Sequence, residues 1–555
     1  MKRSTLTSYF ILALCLFPLT SSLRAHASWD ELALLVRGMQ DGSLVLERDS
    51  RIQPSIYTAA VFFDYNNDGH LDLVMMGQGG DWNFSGKDKY LHLYRNLGPE
   101  HNYELRRVVE TNLPQRRDEA YFNPISVGDV DHDGYHDLVI MSHDGARHVE
   151  IYRNEQGTGR FTLMHSFDHP ATNGAVTLGD LDGDGWLDLF YTGYSDFSAR
   201  EARVWRADAG AFTDVTPASL KGAWQGQSTL GDLDGDGLLD LISCGTGDDW
   251  ACVASIYLNR TAKGQPFCAD YLSEATTGLK GVSRGNVLVA DFNADGLMDV
   301  ITGGETASGV SEGGFRTRIY YQKPDAAQQG FNDGFSLDSN YPVLPVNQDG
   351  GINMGDADGD GNMDLVLGGW VGSHDDNLEY YATPLRIYYN HGANTLPIAP
   401  AEVSAYTDEA EEHITIEWKA GSDRESATSA LRYNIFVRND DTGETWTLIP
   451  ADTETGRLRV GTDLQTSLAS TVTSYTMRTF GKGRYTVGVS TLDQSYAPSP
   501  FATATIDIVT AVETPLTAAD DAQPYAEWRT LTGQRIEHPT LPGVYINGKK
   551  KHLVR

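Results

Sequence analysis

Cysteine is scarce in this chain of 555 residues: there are four, and Cys15 lies in an N-terminal apolar run, which leaves Cys244, Cys252 and Cys268. Three thiols cannot organise a fold of this size. Cys244 and Cys252 flank a short loop where a bridge is conceivable, but the odd number leaves pairing open. Positive charge is also short, with 43 Lys plus Arg against 76 Asp plus Glu and a net charge of −33. A nucleic-acid binder needs a basic face, as does a protein held electrostatically on anionic lipid, so the balance disfavours both. After residue 27 no apolar run reaches the roughly 20 residues that span a bilayer as a helix. Catalytic signatures are missing too: there is no H-E-x-x-H, Walker loop or dinucleotide fingerprint. Gly281-Val282-Ser283-Arg284-Gly285 matches G-x-S-x-G, but that motif works from a strand-to-helix elbow, and here it precedes a strand pattern. What is present is 40% hydrophobic and 10% aromatic residues, enough for packed cores in two to four domains.

The two ends read as address labels. Lys2 and Arg3, an apolar run from Tyr9 to Leu19, and Ala25-His26-Ala27 have the form of a secretory signal over residues 1–27, with the mature chain starting at Ser28. Cys15 follows Leu14 inside the apolar run, which argues against a lipoprotein. Residues 511–523 are small, polar and acidic, as a linker is. Beyond them, Gly533-Gln534-Arg535-Ile536, Gly543-Val544-Tyr545-Ile546 and Asn547-Gly548-Lys549-Lys550 occur in that order. The three sub-motifs in residues 524–555 resemble the C-terminal sorting domain of Bacteroidetes proteins, which implies passage through the type IX secretion machinery.

Internal repetition dominates the middle. Six segments begin at Asp64, Asp129, Asp180, Asp232, Asp291 and Asp356 and share the pattern D-x-(D/N)-x-D-G-x-x-D. Oxygen-bearing side chains at positions 1, 3, 5 and 9 and a carbonyl at 7 can converge on one hard cation, with glycine at 6 allowing the sharp turn. An EF-hand opens the same way but carries a glutamate at position 12 and is flanked by helices. Position 12 here is Met75, Ile140, Tyr191, Ser243, Thr302 or Leu367, so that reading fails. Each loop is flanked by short β-branched or apolar stretches such as Ala60-Val61-Phe62-Phe63 and Val287-Leu288-Val289. Each is followed by a third strand of similar text, among them LHLYRN from Leu91, VEIYRN from Val149 and LRIYYN from Leu385. The expected unit is a small antiparallel sheet with a cation in its first hairpin, and units of this length fit propeller blades.

These repeats resemble the FG-GAP/VCBS family, calcium-loop propellers that include the head of integrin α-subunits, over residues 28–396. The resemblance implies Ca²⁺ held by Asp64, Asn66, Asp68 and Asp72; by Asp129, Asp131, Asp133 and Asp137; and by Asp180, Asp182, Asp184 and Asp188. The later sites are Asp232, Asp234, Asp236 and Asp240; Asp291, Asn293, Asp295 and Asp299; and Asp356, Asp358, Asp360 and Asp364. An all-β chain follows, with a β-propeller of six blades, or seven if a degenerate blade is hidden, then a β-sandwich and a small C-terminal β tail. The stretch Gly42 to Arg48 supplies a candidate outer strand that closes the ring. Over residues 397–510, alternating strands with the early Trp418 and the late Tyr485 resemble a fibronectin type III sandwich.

Blade topology puts the cation loops at one end and the longer connections at the other. The latter carry Trp82, Tyr121, His143, Arg147, Tyr194, Trp224, Trp250, Trp370 and His374, a mixture suited to sugar stacking or peptide recognition. The functional expectation is an exported, calcium-stabilised, non-catalytic protein, secreted or at the cell surface, that binds a glycan or an extracellular protein. The alternatives are a polysaccharide-degrading, lyase-like propeller and a purely structural surface component.

Overall fold

The computed structural model describes residues 44–47, most of residues 56–508, and strands between residues 528 and 554. The described residues are strands and turns with a few short 3₁₀ segments. Residues 1–43 and the linker at 511–523, on which the export signal and the domain junction were read, lie outside the described residues.

Five four-stranded antiparallel sheets follow one another along the chain. Blade 1 is Ile56–Phe63, Asp72–Gln78, Lys89–Asn96 and Leu105–Val108. Blade 2 is Ile125–Gly128, Asp137–His143, Arg147–Asn154 and Phe161–Ser166. Blade 3 is Thr172–Gly179, Asp188–Asp196, Ala199–Asp208 and Ala211–Asp214. Blade 4 is Ser228–Gly231, Asp240–Thr246, Cys252–Asn259 and Leu272–Ala275. Blade 5 is Ser283–Ala290, Asp299–Thr306, Gly314–Gln322 and Phe335–Leu337. Blade 6 has Ile352–Gly355, Asp364–Leu367 and Arg386–Asn390, and its fourth strand is Leu44–Glu47, with Leu44 opposite Asn390. The stretch that the sequence offers for closing the ring therefore does pair there.

First strands of blades 1 to 5 lie side by side in order, and that of blade 6 returns against blade 1. Covered on both faces, they are buried throughout in blades 2, 3 and 4, whereas the outer strand Ala211–Asp214 is largely exposed. Close approach explains the glycine that precedes several cation loops. A Cβ on Gly179 would lie 2.5 Å from a methyl of Leu230 in the next blade, and one on Gly128 would lie 2.6 Å from Leu187. Ser283 of the G-x-S-x-G match begins a blade's first strand and is buried, so it sits on no nucleophile elbow.

Residues 401–508 form two facing sheets. One is Ala401–Thr407, His413–Lys419 and Ser474–Arg478; the other is Thr445–Thr447, Arg432–Asn439, Gly483–Leu492 and Ala502–Ile508, with Leu468–Ala469 added to it. Their shared core holds Ile414, Trp418, Tyr433, Ile435, Val437, Trp446 and Val487. The Tyr485 hydroxyl donates to the Gly481 carbonyl at 2.9 Å, a tyrosine corner. The tail contributes a four-stranded sheet from Trp528–Thr530, Arg535–Ile536, Gly543–Asn547 and Lys550–Val554.

Candidate functional site

Each acidic loop joins the first and second strands of a blade, and the first four are tied by their own backbone. In the second loop the two Asp129 oxygens accept the N–H groups of Asp133 at 3.1 Å and Gly134 at 2.9 Å. Asp133 accepts the N–H of Tyr135 at 3.0 Å. Gly134 has φ +87°, a conformation that favours glycine at position 6. The equivalent bond reaches Asp64, Asp180 and Asp232 from Gly69, Gly185 and Gly237. These bonds hold the carboxylates inward before any ion arrives.

Position 9 has a second task that the sequence pattern does not disclose. Asp137 accepts the N–H of Val130 at 3.0 Å with one oxygen and that of Asn154, on the third strand, at 2.8 Å with the other. The same pair of bonds forms at Asp72, Asp188 and Asp240. A side-chain amide on the third strand then reaches the loop of the preceding blade: Asn154 to the Tyr65 carbonyl at 2.8 Å, Asn259 to Leu181 at 2.7 Å and Gln322 to Leu233 at 3.0 Å. Asn96 of blade 1 does likewise to Ala357 of blade 6 at 2.9 Å. The recurring Asn or Gln at the end of the third strand was the available signal for this blade-to-blade staple.

Oxygens of Asp129, Asp131 and Asp137 lie within 4.8 Å of one another, as do those of Asp180, Asp182 and Asp184, of Asp232, Asp234 and Asp240, and of Asp356, Asp358 and Asp364. In the third loop Asp188 is outside that trio and works as the backbone tie. Among the described residues the first loop gathers no such trio; Asn66 replaces an acid at position 3, and Asp68 pairs with Arg95 at 3.0 Å. Asp291, Asn293, Asp295 and Asp360 lie outside the described residues. Asp299 accepts the N–H of Gln322 at 2.8 Å.

Burial, reinforced by neighbouring carboxylates, pushes Asp129 and Asp232 up to about 7. Asp184 reaches about 7 for the same reasons, and Asp137, Asp180 and Asp240 are raised well above the usual carboxylate range. One oxygen of Asp234 is enclosed without a hydrogen-bond partner among the described residues. Several buried, mutually repelling, oxygen-only groups suit a hard divalent cation, so the four clusters could hold a metal ion. Arginines from the third strands partly balance this charge: Arg153 meets Asp131 at 2.7 Å and Asp133 at 3.0 Å, and Arg260 meets Asp234 and Asp236.

The sandwich lies on this face. The Asp64 N–H donates to the Arg459 carbonyl at 2.7 Å, the Gly461 N–H to Phe62 at 2.9 Å, and the Arg478 N–H to Gly183 in the third loop at 3.1 Å. Ile449, Leu458, Val460 and Leu464 share a core with Phe63, Val127 and Leu138 of blades 1 and 2. His132 of the second loop stacks on Trp186 of the third with centroids 4.0 Å apart and faces Glu444 at 3.5 Å. Arg432 reaches the Met298 sulfur at 2.9 Å.

Of the aromatic residues expected on the opposite end, Tyr194, Trp224 and Trp250 come together. Tyr194 stacks on Trp224 at 5.1 Å, and Trp224 meets Trp250 edge-on at 5.5 Å. Arg147 lies over Tyr194, and Arg200, which the sequence did not single out, lies over both tryptophans. His143 stands opposite Arg147 in the blade 2 hairpin. Trp370 is in a short strand paired with Asn347–Gln348, away from this group in the chain. Trp82, Tyr121 and His374 lie outside the described residues. Cys244 and Cys252 are free thiols, and Cys252 pairs in register with Thr246.

A family model described as an FG-GAP-like repeat matches this chain four times, over residues 64–140, 129–191, 180–243 and 232–302. Each match starts at position 1 of an acidic loop. Cartilage acidic protein 1 of Xenopus tropicalis is 25% identical over 303 residues, which is 48% of this chain and 43% of that protein. The Homo sapiens protein of the same name is 26% identical over 282 residues, 45% of this chain and 39% of its own length. The matches thus span less than half the length of these relatives. Among solved structures, a fungal alcohol oxidase of the AA5 family in complex with copper aligns over 84% of this chain and 100% of its own, at 12% identity and a TM-score of 0.39, too distant to carry an argument.

Proposed function

We propose that this chain, which carries FG-GAP-like repeats, is an exported, calcium-stabilised, non-catalytic binding protein, secreted or at the cell surface, whose ligand is a glycan or an extracellular protein. The observation that carries the reading is the division of labour between the two ends of the propeller. One end holds the acid clusters under the sandwich, and the other presents the exposed Trp250 beside the half-buried Tyr194, Trp224, Arg147 and Arg200. Ca²⁺ is the cation favoured by all-oxygen loops of this spacing, held by the six loop sets named above, and its part is to neutralise and brace the loops. Residues 397–510 act as a fibronectin type III-like cap, on the support of their two-sheet order and tyrosine corner. The four-stranded tail, with its Gly-Gln-Arg-Ile and Gly-Val-Tyr-Ile text, engages the secretion machinery.

The test is a glycan and matrix-protein array probed with the purified full chain in calcium and in chelator. Calcium-dependent retention of one ligand class, without any change to the ligand, supports the reading. No retention, or release of unsaturated sugar products, overturns it.

A further inference from the structure

The cluster around Trp224 is assembled from three separate connections at the end of the propeller away from the acidic loops. Tyr194 is near the end of blade 3's second strand, Trp224 leads into blade 4, and Trp250 lies in the hairpin between blade 4's second and third strands. Blade 3's hairpin sets Arg200 directly opposite Tyr194. A bridge between Trp224 and Thr246 brings the remaining connection alongside.

Two features of this cluster work against stability and give the core nothing in return. Trp250 is 71% exposed, whereas Trp418 and Trp446 of the sandwich are 5% and 3% exposed. Trp250 also has φ +60°, and Gln225, the residue after Trp224, has φ +53°, a region that bulky residues rarely occupy and that concentrates at ligand sites. The charge is equally out of place. In a chain with 76 acids, Arg147 and Arg200 have no carboxylate partner among the described residues, while Arg95, Arg153 and Arg260 on the other face are all paired. The Nε of both arginines and the indole Nε1 of Trp224 find no acceptor among the described residues.

We propose that Trp250, backed by Trp224 and Tyr194 and flanked by Arg200 and Arg147, binds an acidic polysaccharide of the uronate class. The exposed indole stacks the C–H face of one sugar ring, and the guanidinium groups take the carboxylates of that sugar and its neighbour. Guanidinium suits this task because its forked donors match a carboxylate and its plane already rests on aromatic faces, at 5.2 Å from the Trp224 centroid and 5.4 Å from that of Trp250. The inference deepens the proposed binding role and rests on it.

The experiment is calorimetric titration of the full chain in calcium with a galacturonate tetrasaccharide and with its neutral methyl ester, on wild type, Trp250→Ala, Arg200→Gln, Arg200→Lys and Arg147→Gln. Thermal unfolding of each variant establishes that the fold is kept. The expected result is binding of the acid at least fivefold tighter than of the ester and weakening as salt is raised. Trp250→Ala and Arg200→Gln should lose at least tenfold in affinity, with part of it restored in Arg200→Lys. Acid binding that is unchanged in folded variants overturns this site while leaving the general binding role standing. Equal binding of acid and ester overturns the uronate assignment. A protein or neutral-glycan ligand from the array whose binding ignores these substitutions also rejects the site, and absence of every ligand rejects both readings.

Discussion

Asp137 combines two roles that a ligand pattern alone would separate. Its oxygens belong to a candidate cation cluster and also accept two buried N–H groups, which is possible because an ionised carboxylate has about four lone-pair positions. Asp137→Ala should therefore cost about 3 kcal/mol even in chelator, by orphaning two buried donors. Urea denaturation with and without calcium separates this cost from the loss of metal. The raised carboxyls set a pH dependence of opposite sign to the usual acid effect. Asp129, Asp184 and Asp232 hold their protons to about 7 in the folded, metal-free chain but to about 4 when unfolded. Between those limits the folded state binds more protons, so metal-free stability falls as pH rises towards and through 7. Calcium bound as proposed would have to displace those protons, so its stabilisation should grow on going from about pH 5.5 to about pH 7.5. A calcium-induced shift in Tm equal at the two pH values would contradict the assignment.

At the scale of elements, packing between blades leaves little room for change. Gly179→Val should cost about 1–3 kcal/mol, since even a Cβ meets a methyl of the buried Leu230 at 2.5 Å and one of Leu239 at 3.0 Å, and both side chains are enclosed. Equilibrium unfolding in urea reads this directly, and a neutral result would show that the blades can slide apart. The sandwich segment from Ile449 to Leu464 is a second contact of this kind. Val460→Asp would bury an unpaired charge between the domains, so limited proteolysis should release the sandwich while the propeller remains folded. Loops, strands and the closing strand were all legible in the sequence, because D-x-(D/N)-x-D-G repeats and period-two strands are local signals. The capping of the acidic loops was not, because residues 448–467 have no periodicity and their apolar side chains find partners hundreds of residues away. Arg200 escaped notice for a similar reason: its meaning comes from facing Tyr194 across a hairpin and meeting Trp224 from the next blade. The staple by Asn96, Asn154 and Asn259 was visible as repeated text, but its target carbonyls lie in another blade.

For the whole molecule, cap and propeller share a core and bond across the acidic loops, so metal loss should not stay confined to one of them. Calorimetry in chelator should show one transition at lower temperature than in calcium, since ligand that binds only the folded state stabilises it by mass action. Two separated transitions, with that of the sandwich unmoved by chelator, would show that the domains are energetically independent. The ring itself is fastened by Leu44–Glu47 lying beside Arg386–Asn390. This clasp joins the two ends of the propeller chain, a pairing of very high contact order, and such pairings form slowly. Until it forms, the strand Arg386–Asn390 presents a bare edge that any β-segment can join, including the corresponding segment of a second copy. A propeller fastened in this way is most open to domain exchange while Leu44–Glu47 is unpaired, and a change that weakens this one clasp favours exchanged dimers over closed monomers.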